Sequence, residues 1–138
     1  FVADADAGSD DISKGIRSFR ETYKPTWLQV FKNLPTATYI HLMNQTQCLV
    51  GNSSSGVREG AFIGTPVVNI GTRQNQREQS NNVIDVDYNK DQIKNAIRRQ
   101  IDHGKYKRSP LYGDGTAGTK IAHILANESV SIQKTITY

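Results

Sequence analysis

The sequence predicts an α/β fold, a parallel sheet with helices on both faces, and three observations carry that prediction. Short runs rich in β-branched or other apolar residues, Cys48-Leu49-Val50-Gly51, Pro66-Val67-Val68-Asn69-Ile70 and Val83-Ile84-Asp85-Val86, read as strands. Between and around them lie segments whose apolar residues recur at helical spacing. The two kinds of segment alternate. Parallel neighbours need crossover connections, and helices usually supply them, so alternation implies a sheet covered on both sides.

Taken in order, Ser9 with Asp10 and Asp11 forms an N-cap with an acidic first turn, and Ile12, Ile16 and Phe19 continue a helix to about Tyr23, stopped by Pro25. Trp27 to Phe31 alternates as a strand would. Asn33-Leu34-Pro35 turns into a short helix through Tyr39, Ile40 and Met43. The strand Cys48–Gly51 leads to Asn52-Ser53-Ser54-Ser55-Gly56 and then to a helix with Val57, Ala61 and Phe62 on its inner face. Pro66–Ile70 is a short buried strand ending in Gly71. Thr72 to Asn82 is polar loop, and Val83–Val86 is another strand. Asp87 to Asn89 introduces a helix with Ile93, Ile97 and Ile101 inward, ended by Gly104. Loop runs to Gly115, and a last helix spans Ala117 to Leu125 with Ile121, Ile124 and Leu125 on one face. The pattern from 126 to 138 is ambiguous.

At 138 residues the chain holds one domain of ordinary size. With 36% apolar and 22% charged residues it reads as folded and soluble. No stretch approaches the roughly 18 apolar residues of a membrane span, and no basic-then-apolar leader opens the chain, so a cytoplasmic location is expected. A start at Phe1 suggests a segment of something longer. The single cysteine, Cys48, excludes an internal disulfide, and it reads as a small buried core residue. His41, His103 and His123 lack ligand-like spacing, so a metal site is not expected. Seventeen Lys+Arg against thirteen Asp+Glu give +4, which suits an anionic ligand without requiring nucleic acid. Arg98, Arg99, Lys105, Lys107 and Arg108 read as a solvated cluster. Arg58, Arg73 and Arg77, set among Gly, Ser and Asn, look like a site.

In parallel sheets ligands bind beyond the carboxyl ends of strands, which points to the loops after Val50, after Ile70 and after Phe31, and the first two carry candidate groups. The first is Gly51-Asn52-Ser53-Ser54-Ser55-Gly56-Val57-Arg58-Glu59. A Gly/Ser turn between strand and helix leaves first-turn N–H groups for an anion, with serine hydroxyls as further donors. It is neither a Walker loop nor GxGxxG. The alternative is that Ser53 simply caps a helix. Glu59 could accept from a ribose diol, or could only complement the helix dipole. The second turn is Gly71-Thr72-Arg73-Gln74, where Arg73 can grip a phosphate in bidentate fashion; the alternative is an exposed loop arginine. Asp4, Asp6, Asp10 and Asp11 read as a solvated, capping set, and Tyr112-Gly113-Asp114-Gly115 as a turn.

Together the two turns, with Gly64-Thr65-Pro66-Val67-Val68-Asn69-Ile70 and Tyr112-Gly113-Asp114-Gly115, resemble the UDP-N-acetylglucosamine 2-epimerase family, in particular its hydrolysing, sialic acid-type branch. Asp6-Ala7-Gly8-Ser9 and Asn82-Val83-Ile84-Asp85-Val86 extend the resemblance over most of the chain. It implies a Rossmann-like domain, residues 1–138, as the C-terminal half of a two-domain glycosyltransferase-B arrangement. It also implies a reaction that eliminates UDP from UDP-N-acetylglucosamine and adds water, giving N-acetylmannosamine. By resemblance Ser53 and Ser54 hold the diphosphate, Glu59 the ribose, Arg73 a phosphate and Leu34 the uracil through its backbone. Asn52 and Gly56 complete that set, with Ser55, Arg58, Gln74 and Arg77 beside it. Gly60 stands where the non-hydrolysing branch carries glutamate. The family's acid/base carboxylates and catalytic histidine would precede Phe1, so this chain is expected to bind UDP weakly and catalyse nothing alone. The implied partners are the N-terminal domain of the same parent and further copies of that parent, with no nucleic acid and no membrane. Two other readings stay open: the donor-binding domain of a glycosyltransferase, and a basic RNA- or nucleotide-binding module whose affinity would fall steeply with salt.

Overall fold

The computed structural model of the protein describes residues 9–129. The expectations placed on Asp4, Asp6 to Gly8 and residues 130–138 lie outside them. The chain divides into two compact units, 1–42 and 43–138, with the boundary inside one helix.

In the first unit, α1 spans Ser9–Tyr23, with Asp10 and Asp11 in its first turn and Arg20 in its last, as the helix dipole favours. Phe19 packs on Tyr23 and Trp27, with ring centroids 4.9 and 6.3 Å apart. Trp27–Phe31 is not a strand, contrary to the sequence prediction: the segment is a turn followed by irregular chain, and Trp27 is 73% exposed. A strand exists through its ladder, and no described segment pairs with this one. α2 then covers Thr36–Gln45, as the pattern after Pro35 predicts.

The second unit is built on three parallel strands, β1 (Leu49–Gly51), β2 (Val67–Ile70) and β3 (Val83–Val86), in the order β1-β2-β3. Leu49 pairs with Val67, and Val67 in turn with Val83. This is the predicted α/β, Rossmann-like arrangement. Between β1 and β2 the predicted single helix is two short ones, α3 (Ser54–Val57) and α4 (Glu59–Ile63), with Arg58 at the joint. Val57 and Ala61 are buried as expected, but Phe62, about 100° round the helix from Ala61, is exposed. Its outer ring carries the Arg108 guanidinium instead, 5.6 Å from the centroid. α3 approaches the sheet closely at Gly56, where an added Cβ would lie 3.0 Å from Val67 Cγ1. Gly64 closes α4 in the left-handed region, at φ 78.

α5 spans Lys90–His103, capped by Asn89, whose side chain accepts from the Asp91 and Gln92 N–H groups. Its buried residues are Ala96 and Gln100, with Ile93 and Ile97 half-buried and Ile101 exposed. A step of four residues drifts round a 3.6-residue helix, so Gln100 rather than Ile101 returns to the inner face. Gln100 donates to the Val67 and Asn82 carbonyls at 2.6 and 2.9 Å and accepts from the Tyr106 hydroxyl at 2.7 Å. Asn82, also buried, donates to the Thr65 carbonyl at 2.9 Å. Residues 104–112 then run back along α4, with the Tyr106 N–H on Gly64 O and the Ser109 N–H on Ala61 O. α6 (Ala117–Asn127) forms as predicted, but Ile121, Ile124 and Leu125 stay exposed. No described helix is long and apolar enough to cross a membrane.

Candidate functional site

Because β1 and β2 are parallel neighbours, with Gly51 opposite Asn69, the turns that follow them leave the same edge of the sheet. The serine turn is ordered by its own hydroxyls. Ser53 is the N-cap of α3 in extended backbone, and its Oγ accepts from the Ser55 N–H at 3.3 Å and lies 2.9 Å from Ser55 Oγ. The Gly56 N–H is engaged on the Ser53 carbonyl at 3.2 Å. Ser53 is exposed, while Asn52, Ser54 and Ser55 are half-buried. Ser53 Oγ is thus engaged twice within the turn, by the Ser55 N–H and by the Ser55 hydroxyl. A four-residue helix aligns few peptide dipoles, so attraction for an anion at this turn rests on hydroxyls, local N–H groups and nearby arginines more than on a macrodipole.

The arginine turn leaves β2 through Gly71, at φ 76, over which Tyr88 lies so closely that any Cβ would meet its ring. The Asn75 N–H donates to Thr72 O and the Arg77 N–H to Gln74 O, folding the turn on itself. Arg73 and Arg77 are exposed at its rim. Further along, Gln79 and Asn69 both donate to Asp85 Oδ1, at 3.2 and 2.6 Å, and the Tyr112 hydroxyl donates to the Glu78 carbonyl. The Tyr112 ring also sits under the Arg58 guanidinium, 5.9 Å from the centroid.

The two turns are joined by Gln74, whose Nε2 donates to the Asn52 carbonyl at 2.7 Å. The structure thus brings Asn52, Ser53, Ser54 and Ser55 to the same sheet edge as Arg73, Gln74 and Arg77. Glu59 is exposed as the first residue of α4, beyond the Arg58 joint, and has no ion pair among the described residues. Gly56 is buried against Val67 and Leu49, where its role is close packing of α3. Leu34 lies in the first unit, half-buried, with its N–H on Asn33 Oδ1 at 2.9 Å. An open groove of about 800 Å³ is also in the first unit, lined by Arg17, Arg20, Lys24, Leu28 and Phe31 among others, and it contains none of the candidate residues.

Sequence reasoning missed the Tyr112 and Asn52 main-chain connections, because a bond to a carbonyl leaves no residue-type signature on the acceptor. Cys48 is half-buried rather than the fully buried core residue expected: burial pushes its thiol pKa up, more than a backbone hydrogen bond with Val68 lowers it, and its Sγ–H meets the Leu49 carbonyl at 3.8 Å. No three His, Cys, Asp or Glu groups converge on a metal position among the described residues. Asp114 accepts from the Thr116 hydroxyl and N–H at 2.5 and 2.9 Å, which lowers its carboxyl pKa and shapes the turn before α6.

The family model described as UDP-N-acetylglucosamine 2-epimerase matches residues 1–126. Among curated proteins, a UDP-N,N'-diacetylbacillosamine 2-epimerase (hydrolyzing) from Legionella pneumophila is 39% identical over 98 residues, 71% of this chain and 26% of its own length. A UDP-N-acetylglucosamine 2-epimerase from Neisseria meningitidis is 27% identical over 135 residues, 94% of this chain and 35% of its own. The polysialic acid biosynthesis protein P7 of Escherichia coli is 35% identical over 100 residues, 72% of this chain and 24% of that protein. The chain therefore spans about a quarter to a third of the length of these relatives.

Proposed function

The chain belongs to the UDP-N-acetylglucosamine 2-epimerase family, and from that premise we propose that it supplies the UDP-binding half of a hydrolysing epimerase acting on UDP-N-acetylglucosamine. The observation that carries this reading is the pairing of the Ser53–Ser55 turn and the Arg73 turn at one sheet edge, tied by Gln74. In the reaction a base removes the proton at sugar C2, and the C1–O bond breaks with its electron pair leaving on UDP. Water then adds across the glycal, its hydroxyl to C1 and a proton to C2, releasing N-acetylmannosamine. Negative charge builds on the departing diphosphate. Serine hydroxyls and a guanidinium such as that of Arg73 have the chemistry to stabilise it, as hydrogen-bond donors and as a bidentate cation. Ser53 and Ser54 take the diphosphate, Glu59 the ribose diol and Arg73 a phosphate. The acid/base groups and the sugar pocket belong to the partner domain of the parent, so the chain alone binds UDP and turns nothing over.

A second substrate has a specific observation behind it: the relative from Legionella pneumophila and another from Campylobacter jejuni, 43% identical over 61 residues, are both named for diacetylbacillosamine nucleotides. The nucleotide half would serve either sugar. Product analysis on the parent protein separates the two, since each sugar is released in free form.

The half-site is tested by titrating UDP into the chain and following amide resonances, with CMP as control. Shifts centred on Asn52–Glu59 and Gly71–Arg77, weakened by about tenfold or more in Arg73→Ala, are expected for loss of a charge-assisted contact. Shifts of equal size with CMP, or none with UDP in the chain and in its full-length parent, would refute the reading.

A further inference from the structure

Gln74 sits next to Arg73, where a ligand contact would be expected, but its burial points elsewhere. We propose that Gln74 is a positioning residue that holds the serine turn and the arginine turn in fixed register without touching the ligand. The proposal rests on the reading of those turns as a nucleotide half-site and deepens it.

From Thr72 to Glu78 every residue is exposed except Gln74, which is 2% exposed. A flexible amide side chain loses rotamer freedom when it turns inward, and here the hydrogen bond to the Asn52 carbonyl at 2.7 Å offsets that loss. Asn52 lies one residue past Gly51, the last β1 residue with a ladder partner on β2. Beyond that point the backbone of β2 no longer faces the carbonyls of the first strand, and Gln74 supplies by side chain the donor that the ladder stops supplying. The residue it holds directly precedes the capping Ser53. On its own side, the Gln74 carbonyl accepts the Arg77 N–H at 3.3 Å, so the turn that displays Arg73 and Arg77 is built around it.

Among the described residues the amide has a single anchor: Gln74 Oε1 is buried with no hydrogen-bond partner there, and the side chain is fixed by the Asn52 carbonyl. That makes the requirement chemical as well as steric: the position needs a donor aimed at Asn52, and a carboxylate there would set oxygen against oxygen. It also predicts coupling. If Gln74 fixes where Arg73 stands relative to Ser53, removing the amide should make Arg73 worth less.

The experiment is a double-mutant cycle on the full chain with UDP as probe, comparing wild type, Gln74→Met, Arg73→Ala and the double variant. Gln74→Met nearly keeps length and volume and removes the amide, both its donor and its unpartnered oxygen. The expected result is a free-protein spectrum in which amides of Asn52–Ser55 and Thr72–Arg77 move while those of β3 and α5 do not. UDP should bind about tenfold more weakly, and Arg73→Ala should cost less in the Met background than in wild type. Gln74→Glu should show the same pattern with a larger loss. Should Gln74→Met fail to fold, Gln74→Asn, which withdraws the amide by one methylene, gives the same readout. Strictly additive losses, or unmoved Asn52–Ser55 amides in free Gln74→Met, would overturn the proposal. If neither the wild-type chain nor its full-length parent binds UDP, the half-site reading falls, whereas the free-protein spectra still decide whether Gln74 couples the turns.

Discussion

Replacing Gln100 by leucine tests whether a buried polar network, rather than an apolar stripe, seats α5 on the sheet. Leucine matches the volume closely enough that no large cavity forms, so the cost is electrostatic. Gln100 is fully buried, and the substitution deletes three hydrogen bonds, to the Val67 carbonyl, the Asn82 carbonyl and the Tyr106 hydroxyl. The Asn82 carbonyl retains the Val67 N–H at 2.8 Å, the Val67 carbonyl keeps its ladder partner on β3, and Tyr106 can turn toward water, so the cost is the loss of the three bonds themselves. At about 1 kcal/mol for each of the three bonds lost, the sum is about 3 kcal/mol. Tyr106→Phe removes only one of the three bonds and should cost about 1 kcal/mol. Urea unfolding followed by circular dichroism measures both, and the midpoint should fall by about 1–2 M for Gln100→Leu with an unchanged slope. A loss below about 1 kcal/mol for Gln100→Leu, or equal losses for the two variants, would refute the argument that this network anchors the helix.

The other outcomes test separate features. Gly64→Ala should destabilise the chain by about 2 kcal/mol or more in thermal melts, because the residue sits at φ 78 and its new Cβ would lie 2.2 Å from the Tyr106 carbonyl oxygen. Cys48 should react slowly with a disulfide reagent at neutral pH and at the rate of a free thiol in urea, since burial raises its pKa and disfavours the thiolate. Asp114 should titrate below the ordinary carboxylate value, chiefly through the Thr116 hydroxyl. Its contribution is present above the unfolded-state pKa and lost as pH falls through the folded one, so amides at the start of α6 should shift in acid, and Thr116→Val should return the carboxyl toward its ordinary value.

Much of the secondary structure was legible because it is written in local terms. β1, β2 and β3 are short apolar runs bounded by turn residues, and α1, α5 and α6 carry helical periodicity with recognisable ends, Asn89 and Gly104 on α5 among them. Trp27–Phe31 misled because alternation reports a pattern of side chains, whereas a strand needs a hydrogen-bonded neighbour. The Ile93, Ile97, Ile101 spacing misled for a related reason: apolar identity was taken for burial, while Gln100 was the residue with three partners within reach.

The candidate site divides in the same way. The sequence alone determined which turns follow strands, that one is rich in serine and the other carries arginine, and which family the whole resembles, since all of these are properties of residue order. Only the tertiary structure decided that Gln74 turns inward to the Asn52 carbonyl, that Gly56 is spent on contact with Val67, and that Arg58 breaks the helix after the serines to put Glu59 on a separate element. Those outcomes depend on which surfaces meet once parallel strands are in register, and a carbonyl or a close approach to a neighbouring strand carries no mark in the residues that precede it.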